Sequence, residues 1–340
     1  MTHHFSPAVG RAPVVVVTGA TAGVGRAIAL RFAEAGYAVG LIARDALALD
    51  GARAEIESFG VDAVAVSADV ASADQVFDAA GRIERELGPI AVWVNNAMAT
   101  VISPFAAMTP EEYRRVTEVT YLGAVHGTMA ALKHMKPRDR GRVVQIGSAL
   151  AYRGLPLQSA YCGSKHAIRG FTESVRSELI HDRSNVRLMI VDLPAVNTPQ
   201  FDWARTHIMR TPRPMGRPVQ PEAIADGVFR AAHGRGRDHW IGWTTALTIL
   251  GNAASPGFLD RYLAKAVEGQ QTEILKTLDR RDNLAAPVSG LHRTRGSFSR
   301  EASAGAALLP AEAMRLGVVT AGALACAAIG ALIGAAIRRR

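Results

Sequence analysis

Tyr161 and Lys165 stand four residues apart, a spacing that puts both side chains on one face of a helix. A phenol with a pKa of about 10 is a poor base at neutral pH, but a neighbouring ammonium favours the phenolate and so suits proton exchange on an oxygen. Ser148 lies 13 residues upstream at the end of an apolar run and offers a hydroxyl for the same oxygen. A second constellation precedes these by more than a hundred residues: Thr18-Gly19-Ala20-Thr21-Ala22-Gly23-Val24-Gly25. Its glycines would let a pyrophosphate approach backbone N–H groups and the positive end of a helix dipole. The next apolar run ends Ala43-Arg44-Asp45. An acid there accepts from the ribose 2′-hydroxyl of NAD, whereas an arginine pairs with the 2′-phosphate of NADP. With Arg44 first, NADPH is expected over NADH; Asp45 suits a helix N-cap equally well.

The elements that must carry these residues follow from periodicity. Pro13–Thr18 is apolar and β-branched, and Gly23–Gly36 has helical spacing. The alternation continues with strands at Tyr37–Ala43, Val61–Ala68, Ile90–Asn95, Arg142–Ile146, Val186–Leu193 and Asp238–Trp243. Helices are expected over Ala46–Phe59, Ser72–Leu87, Pro110–Met135, Ser159–Ile180 and Pro221–His233. Seven strands alternating with helices, several of them continuously apolar, predict an α/β fold with a doubly wound parallel sheet covered on both faces, a Rossmann fold. The expected division is an N-terminal arm (1–12), a dinucleotide-binding and catalytic domain (13–263), a loosely packed extension (264–313) and an apolar helix with a basic end (314–340).

The chain of 340 residues is 49% apolar and 20% charged, ordinary for a globular protein. Its two cysteines, Cys162 and Cys326, suggest no disulfide framework, and the N-terminus shows no secretory signal, so a cytoplasmic catalytic domain is expected. The net charge of +9 raises the question of nucleic acid, but residues 280–340 hold nine basic and three acidic residues, which leaves +3 for the rest. That tail flanks Gly317–Ile337, 21 residues without a charge and rich in Ala and Gly. At about 1.5 Å per residue it could span a bilayer, and the flanking arginines suit an anionic surface, so a membrane anchor is expected and a nucleic-acid partner is not.

Taken together, Thr18 to Gly25, Asp69-Val70, Asn95-Asn96-Ala97, Ser148, Tyr161-x3-Lys165 and Pro194-x3-Thr198 resemble the short-chain dehydrogenase/reductase family over about residues 13–243. The resemblance implies hydride transfer between a nicotinamide and a carbonyl or alcohol carbon, with Tyr161 exchanging the proton, Ser148 holding the oxygen and Lys165 holding the nicotinamide ribose. It further implies cofactor contacts from Gly19, Thr21, Gly23, Val24, Gly25, Asp69, Val70, Asn96, Ala97, Pro194 and Thr198. No metal is implied, and a homo-oligomer is the family expectation. The chain departs from the pattern at Thr120, where the family's helix asparagine would stand, and at Met98 and Ala195, where it has glycine. Thr120 is thus a candidate fourth catalytic residue, through a water relay to Lys165.

Between Pro194 and Pro221, Phe201, Trp203, Ile208, Met209 and Met215 read as a lid over a hydrophobic substrate. Two other readings stay open: a non-catalytic NADP-binding sensor or scaffold at a membrane, and an epimerase or dehydratase on the same fold.

Overall fold

Four valines and a threonine make Val14–Thr18 (β1), and all five are buried. Val15 and Val17 join one apolar cluster while Val14 and Val16 join another, as the period of two demands of a strand covered on both faces. The computed structural model describes residues 12–277 and 280–320. The further parallel strands are Ala38–Ala43 (β2), Ala63–Ser67 (β3), Ile90–Asn95 (β4), Arg142–Ile146 (β5), Arg187–Asp192 (β6) and Asp238–Ile241 (β7). Helices Gly23–Glu34 (α1), Ala46–Glu57 (α2), Ala73–Leu87 (α3), Pro110–Thr117 (α4), Gly123–Met135 (α5), Ser159–His181 (α6) and Pro221–His233 (α7) alternate with them. A π-helical turn, Glu118–Leu122, separates α4 from α5.

The expected seven strands are present in the order β7-β6-β5-β4-β1-β2-β3, and an eighth, Leu308–Pro310 (β8), extends the sheet beyond β7. It runs antiparallel, with Leu309 opposite Trp240. Three residues ending in a proline carry little strand signal, and proline is tolerated there because an edge strand needs no second set of donors. Strand order reverses between β1 and β4, and the crevice outside their carboxyl ends is where a ligand of such a sheet binds.

The extension, expected to be loosely packed, is folded onto the domain. Trp243–Ala254 (α8) and Pro256–Ala264 (α9) follow β7 at the end of the expected domain, and within the extension Gln271–Leu275 pairs with Arg210–Pro212. Leu284 and Val288 are buried. Residues 311–320 are helical, with Met314 packed against Trp240 and Ile249, while Leu316, Val318 and Val319 are exposed. Residues 1–11 of the expected arm, and 321–340 with most of the expected membrane span and Cys326, lie outside the described residues. Among the described residues, no helix is long and apolar enough to cross a membrane.

A buried polar network ties β6 to the helices beside it. Asp192, 1% exposed, accepts from the Ser148 N–H at 3.1 Å and from the Tyr152 hydroxyl at 3.0 Å. The Tyr152 hydroxyl is also met by the Arg169 guanidinium, and by that of Arg315 at 3.3 Å. Burial pushes the Asp192 carboxyl up to about 7, with the Tyr152 hydrogen bond and Arg169 opposing it. A carboxyl raised on folding contributes stability that is complete below its unfolded pKa of about 3.9 and is lost as pH rises through its folded value. Between pH 5.5 and 8.5, wild-type protein should therefore lose about 2 kcal/mol more stability than Asp192→Asn in denaturant titrations. Equal losses in the two proteins would mean that Asp192 is ionised throughout.

Candidate active site

The turn after β1 is built for close approach. Gly19 and Gly23 have φ of +67° and +55°, the left-handed region that favours glycine. A Cβ on Gly25 would lie 2.2 Å from the Gly19 carbonyl oxygen, so that position excludes any side chain. The Thr18 hydroxyl accepts from the N–H groups of Asn96 at 3.0 Å and Ala97 at 3.1 Å, which fixes the turn against the end of β4. Asn96 turns its amide back onto the Thr18 carbonyl, 2.9 Å away.

Ser148 ends β5, and Tyr161 and Lys165 occupy the first turns of α6. Ser148 and Tyr161 line the same cavity, and the Ser148 hydroxyl acts on the Tyr161 phenol. Lys165 is buried, its ammonium 5.5 Å from the Tyr161 ring centre and donating to the Ile146 carbonyl at 2.6 Å. Burial lowers its pKa to about 8, against the pull of Asp192. The expected depression of Tyr161 by the adjacent cation does not occur: burial raises the phenol above its ordinary value, and the Ser148 hydrogen bond only partly offsets this. Burial thus works against the phenolate form of Tyr161.

One cavity of about 610 Å³, within the range of small-molecule sites, joins these groups. Gly19, Thr21, Gly23, Val24, Arg44, Asp69, Val70, Asn96, Ala97, Ser148, Tyr161, Lys165, Pro194 and Thr198 all line it. Gly25 and Thr120 are not among its lining residues. Gly25 acts behind the surface, through the space it leaves for Gly19. Thr120 is 1% exposed, and its hydroxyl accepts from the Ala99 N–H at 3.0 Å and donates to the Ala99 carbonyl at 2.9 Å. The role this geometry gives it is to hold the strand that follows Asn96 and Ala97.

Of the expected lid residues, Phe201, Trp203 and Met215 reach the cavity, together with Leu150, Leu155, Leu247, Leu259, Tyr262 and Leu263. Ile208 is buried in a separate cluster with Ile102 and Ala204, and Met209 is 72% exposed. Met98 lines the cavity.

Sequence reasoning misses the part of the wall formed by Asn283, Pro287, Val288 and His292. These residues come from the extension, in a stretch without periodicity, and they meet the site mainly through backbone carbonyls. The Arg44 guanidinium donates to the carbonyls of Asn283 at 2.5 Å, Ala285 at 3.0 Å and Leu284 at 3.3 Å, so the group expected to face a 2′-phosphate faces the chain itself. Asp45 is the N-cap of α2, accepting from the Ala48 N–H at 3.0 Å, and lies 3.2 Å from the His292 ring.

The glycine turn and the cavity it opens into fit a dinucleotide, and the paired hydroxyls of Ser148 and Tyr161 fit a single substrate oxygen. Comparison with known proteins agrees with this. The short chain dehydrogenase family model matches residues 13–207. An uncharacterized oxidoreductase, YxnA, of Bacillus subtilis (strain 168) is 34% identical over 263 residues, covering 76% of this chain and 73% of its own. The 3-dehydrosphinganine reductase of Danio rerio is 32% identical over 192 residues, 55% of this chain and 57% of its own. Among solved structures, an alcohol dehydrogenase from the archaeon Thermococcus sibiricus, complexed with 5-hydroxy-NADP, superposes with a TM-score of 0.58 at 25% identity, over 66% of this chain and 92% of its own. The chain is an oxidoreductase that belongs to the short-chain dehydrogenase/reductase family.

Proposed function

We propose that this oxidoreductase reduces a lipophilic ketone or aldehyde with NADPH, or oxidises the corresponding alcohol with NADP. The observation that carries the proposal is that Ser148, Tyr161 and Lys165 line one cavity together with the glycine turn and several leucine side chains. Gly19, Thr21, Gly23 and Val24 would hold the pyrophosphate, Asp69 and Val70 the adenine, and Lys165 the nicotinamide ribose. The bound nicotinamide supplies or accepts the hydride at the substrate carbon. The chain's own part is protonic: Ser148 holds the substrate oxygen and Tyr161 gives it a proton. A phenol kept protonated by burial suits the reductive direction. Leu150, Leu155, Leu247, Leu259 and Leu263 support a lipophilic substrate, as does the similarity to a relative named 3-dehydrosphinganine reductase.

Arg44 is the cation at the end of β2 where a 2′-phosphate would lie, which supports NADP over NAD. For the tail, we propose a membrane anchor over residues 317–337, supported by their uncharged sequence and by the exposed Leu316, Val318 and Val319 at its start.

Three measurements test these readings. Purified protein given NADPH and a panel of lipophilic and small carbonyl compounds should show turnover that falls roughly 10²–10⁴-fold in Tyr161→Phe while NADPH binding persists. Turnover that survives this substitution would remove Tyr161 from the chemistry. Arg44→Ala should lower the ratio of NADPH to NADH affinity by about ten-fold, and an unchanged ratio would refute the phosphate contact. Truncation after Ala313 should move the protein from the pelleted membrane fraction to the supernatant; an unchanged distribution would refute the anchor.

A further inference from the structure

Residues 283–293 touch the groups that would receive the cofactor's phosphates and its adenosine ribose. Three carbonyls of this segment occupy the Arg44 guanidinium. The Arg293 carbonyl accepts from the Gly23 N–H, the first of α1, at 3.0 Å. The His292 ring lies 3.1 Å from the Thr21 hydroxyl and 3.2 Å from Asp45, and the His292 carbonyl accepts from Arg26 at 3.3 Å. Carbonyl oxygens thus stand where phosphate oxygens would be expected, at a cationic side chain and at a helix N-terminus. One N–H cannot serve both acceptors at full strength, and the Arg44 donors aimed at carbonyls cannot grip a phosphate.

The attachment is mostly polar, with the Arg293 guanidinium paired with Asp202 at 2.7 Å and the His292 ring against Trp203. Leu284 and Val288 are the two buried side chains of the stretch, and residues 285–287 and 289–290 between and beyond them are exposed. Arg115 adds a bond to the Leu284 carbonyl at 3.2 Å, and the Asn283 N–H donates to the Trp203 carbonyl at 3.1 Å. A segment with few buried apolar contacts opens at low free energy. A phosphate makes stronger, charge-assisted bonds to Arg44 than carbonyls do and can displace them.

We propose that residues 283–293 form an autoinhibitory strap that competes with the dinucleotide for Arg44, the Gly23 N–H and Thr21, so that cofactor binding releases the strap. This rests on the cofactor reading given above. When the binding-competent state is only fractionally populated, the apparent affinity falls by that fraction, and weakening the strap restores it.

The test uses full-length protein and two readouts that do not depend on turnover. The first is limited trypsin digestion, with cleavage after Arg293 and Arg295 followed by mass spectrometry. Saturating NADPH should speed these cuts about ten-fold, and NADH, which offers no 2′-phosphate to Arg44, should speed them less. The second is NADPH affinity in His292→Ala and Leu284→Ala, each of which should bind about ten-fold more tightly than wild type and be cut faster without cofactor. His292 is only partly buried, so its substitution keeps the test valid should Leu284→Ala fail to fold. Normal NADPH binding with slowed or unchanged cleavage, or His292→Ala binding no more tightly than wild type, would overturn the strap while leaving the cofactor reading intact. Failure of every protein to bind either dinucleotide would overturn both.

Discussion

The Thr18 hydroxyl is the joint on which the cleft depends. It accepts from two successive N–H groups at the end of β4, which pins the glycine turn to the strand on the other side of the reversal in strand order. The glycines then bring backbone to within contact distance: a Cβ on Gly19 would lie 2.9 Å from the Ala97 Cα. With these two strand ends locked, the ends of β5 and β6 are fixed in turn by the ladder between neighbouring strands, and Ser148 takes its place relative to Tyr161 on α6. The precision of the site is therefore inherited from a sheet whose strands are buried on both faces, where a slip of one residue would exchange the two apolar clusters.

Burial governs the protonation of the centre. The cation–phenol pair suggests a phenolate, but Lys165 is buried and Tyr161 half-buried, and desolvation disfavours the charged form of each. Asp192 sits behind them on β6, holds the Ser148 backbone, and has its own carboxyl raised by burial. Burial thus works against the charged form of Tyr161, Lys165 and Asp192 alike.

The residues of this centre are legible in the sequence because each is a side chain at a fixed distance from a strand end: the glycines after β1, Ser148 after β5, and Tyr161 and Lys165 one helical turn apart. The seven parallel strands are legible for a related reason, since strands covered on both faces read as apolar runs. The extension is not. Its contacts with Arg44 and Gly23 are made by carbonyl oxygens, which every residue has, and β8 is three residues long with a proline at its end. Arg44 shows the limit most clearly: its type and position are readable, whereas its partners lie some 240 positions later in the chain. Thr120 is similar, visible as a departure from a pattern but bound to a backbone that no spacing reveals.

The late part of the chain supplies two stretches of the cavity wall, by different chemistry. In one, the wall from Asn283 to His292 is joined to the site by polar contacts that a charged ligand can compete for. In the other, Leu247 and Tyr262 line the cavity and are also 69% and 58% exposed, so α8 and α9 form an apolar rim open to the outside. A ligand with an apolar chain loses little by lying along that rim, since its surface exchanges water for leucine and tyrosine at about 25 cal/mol per Å² buried.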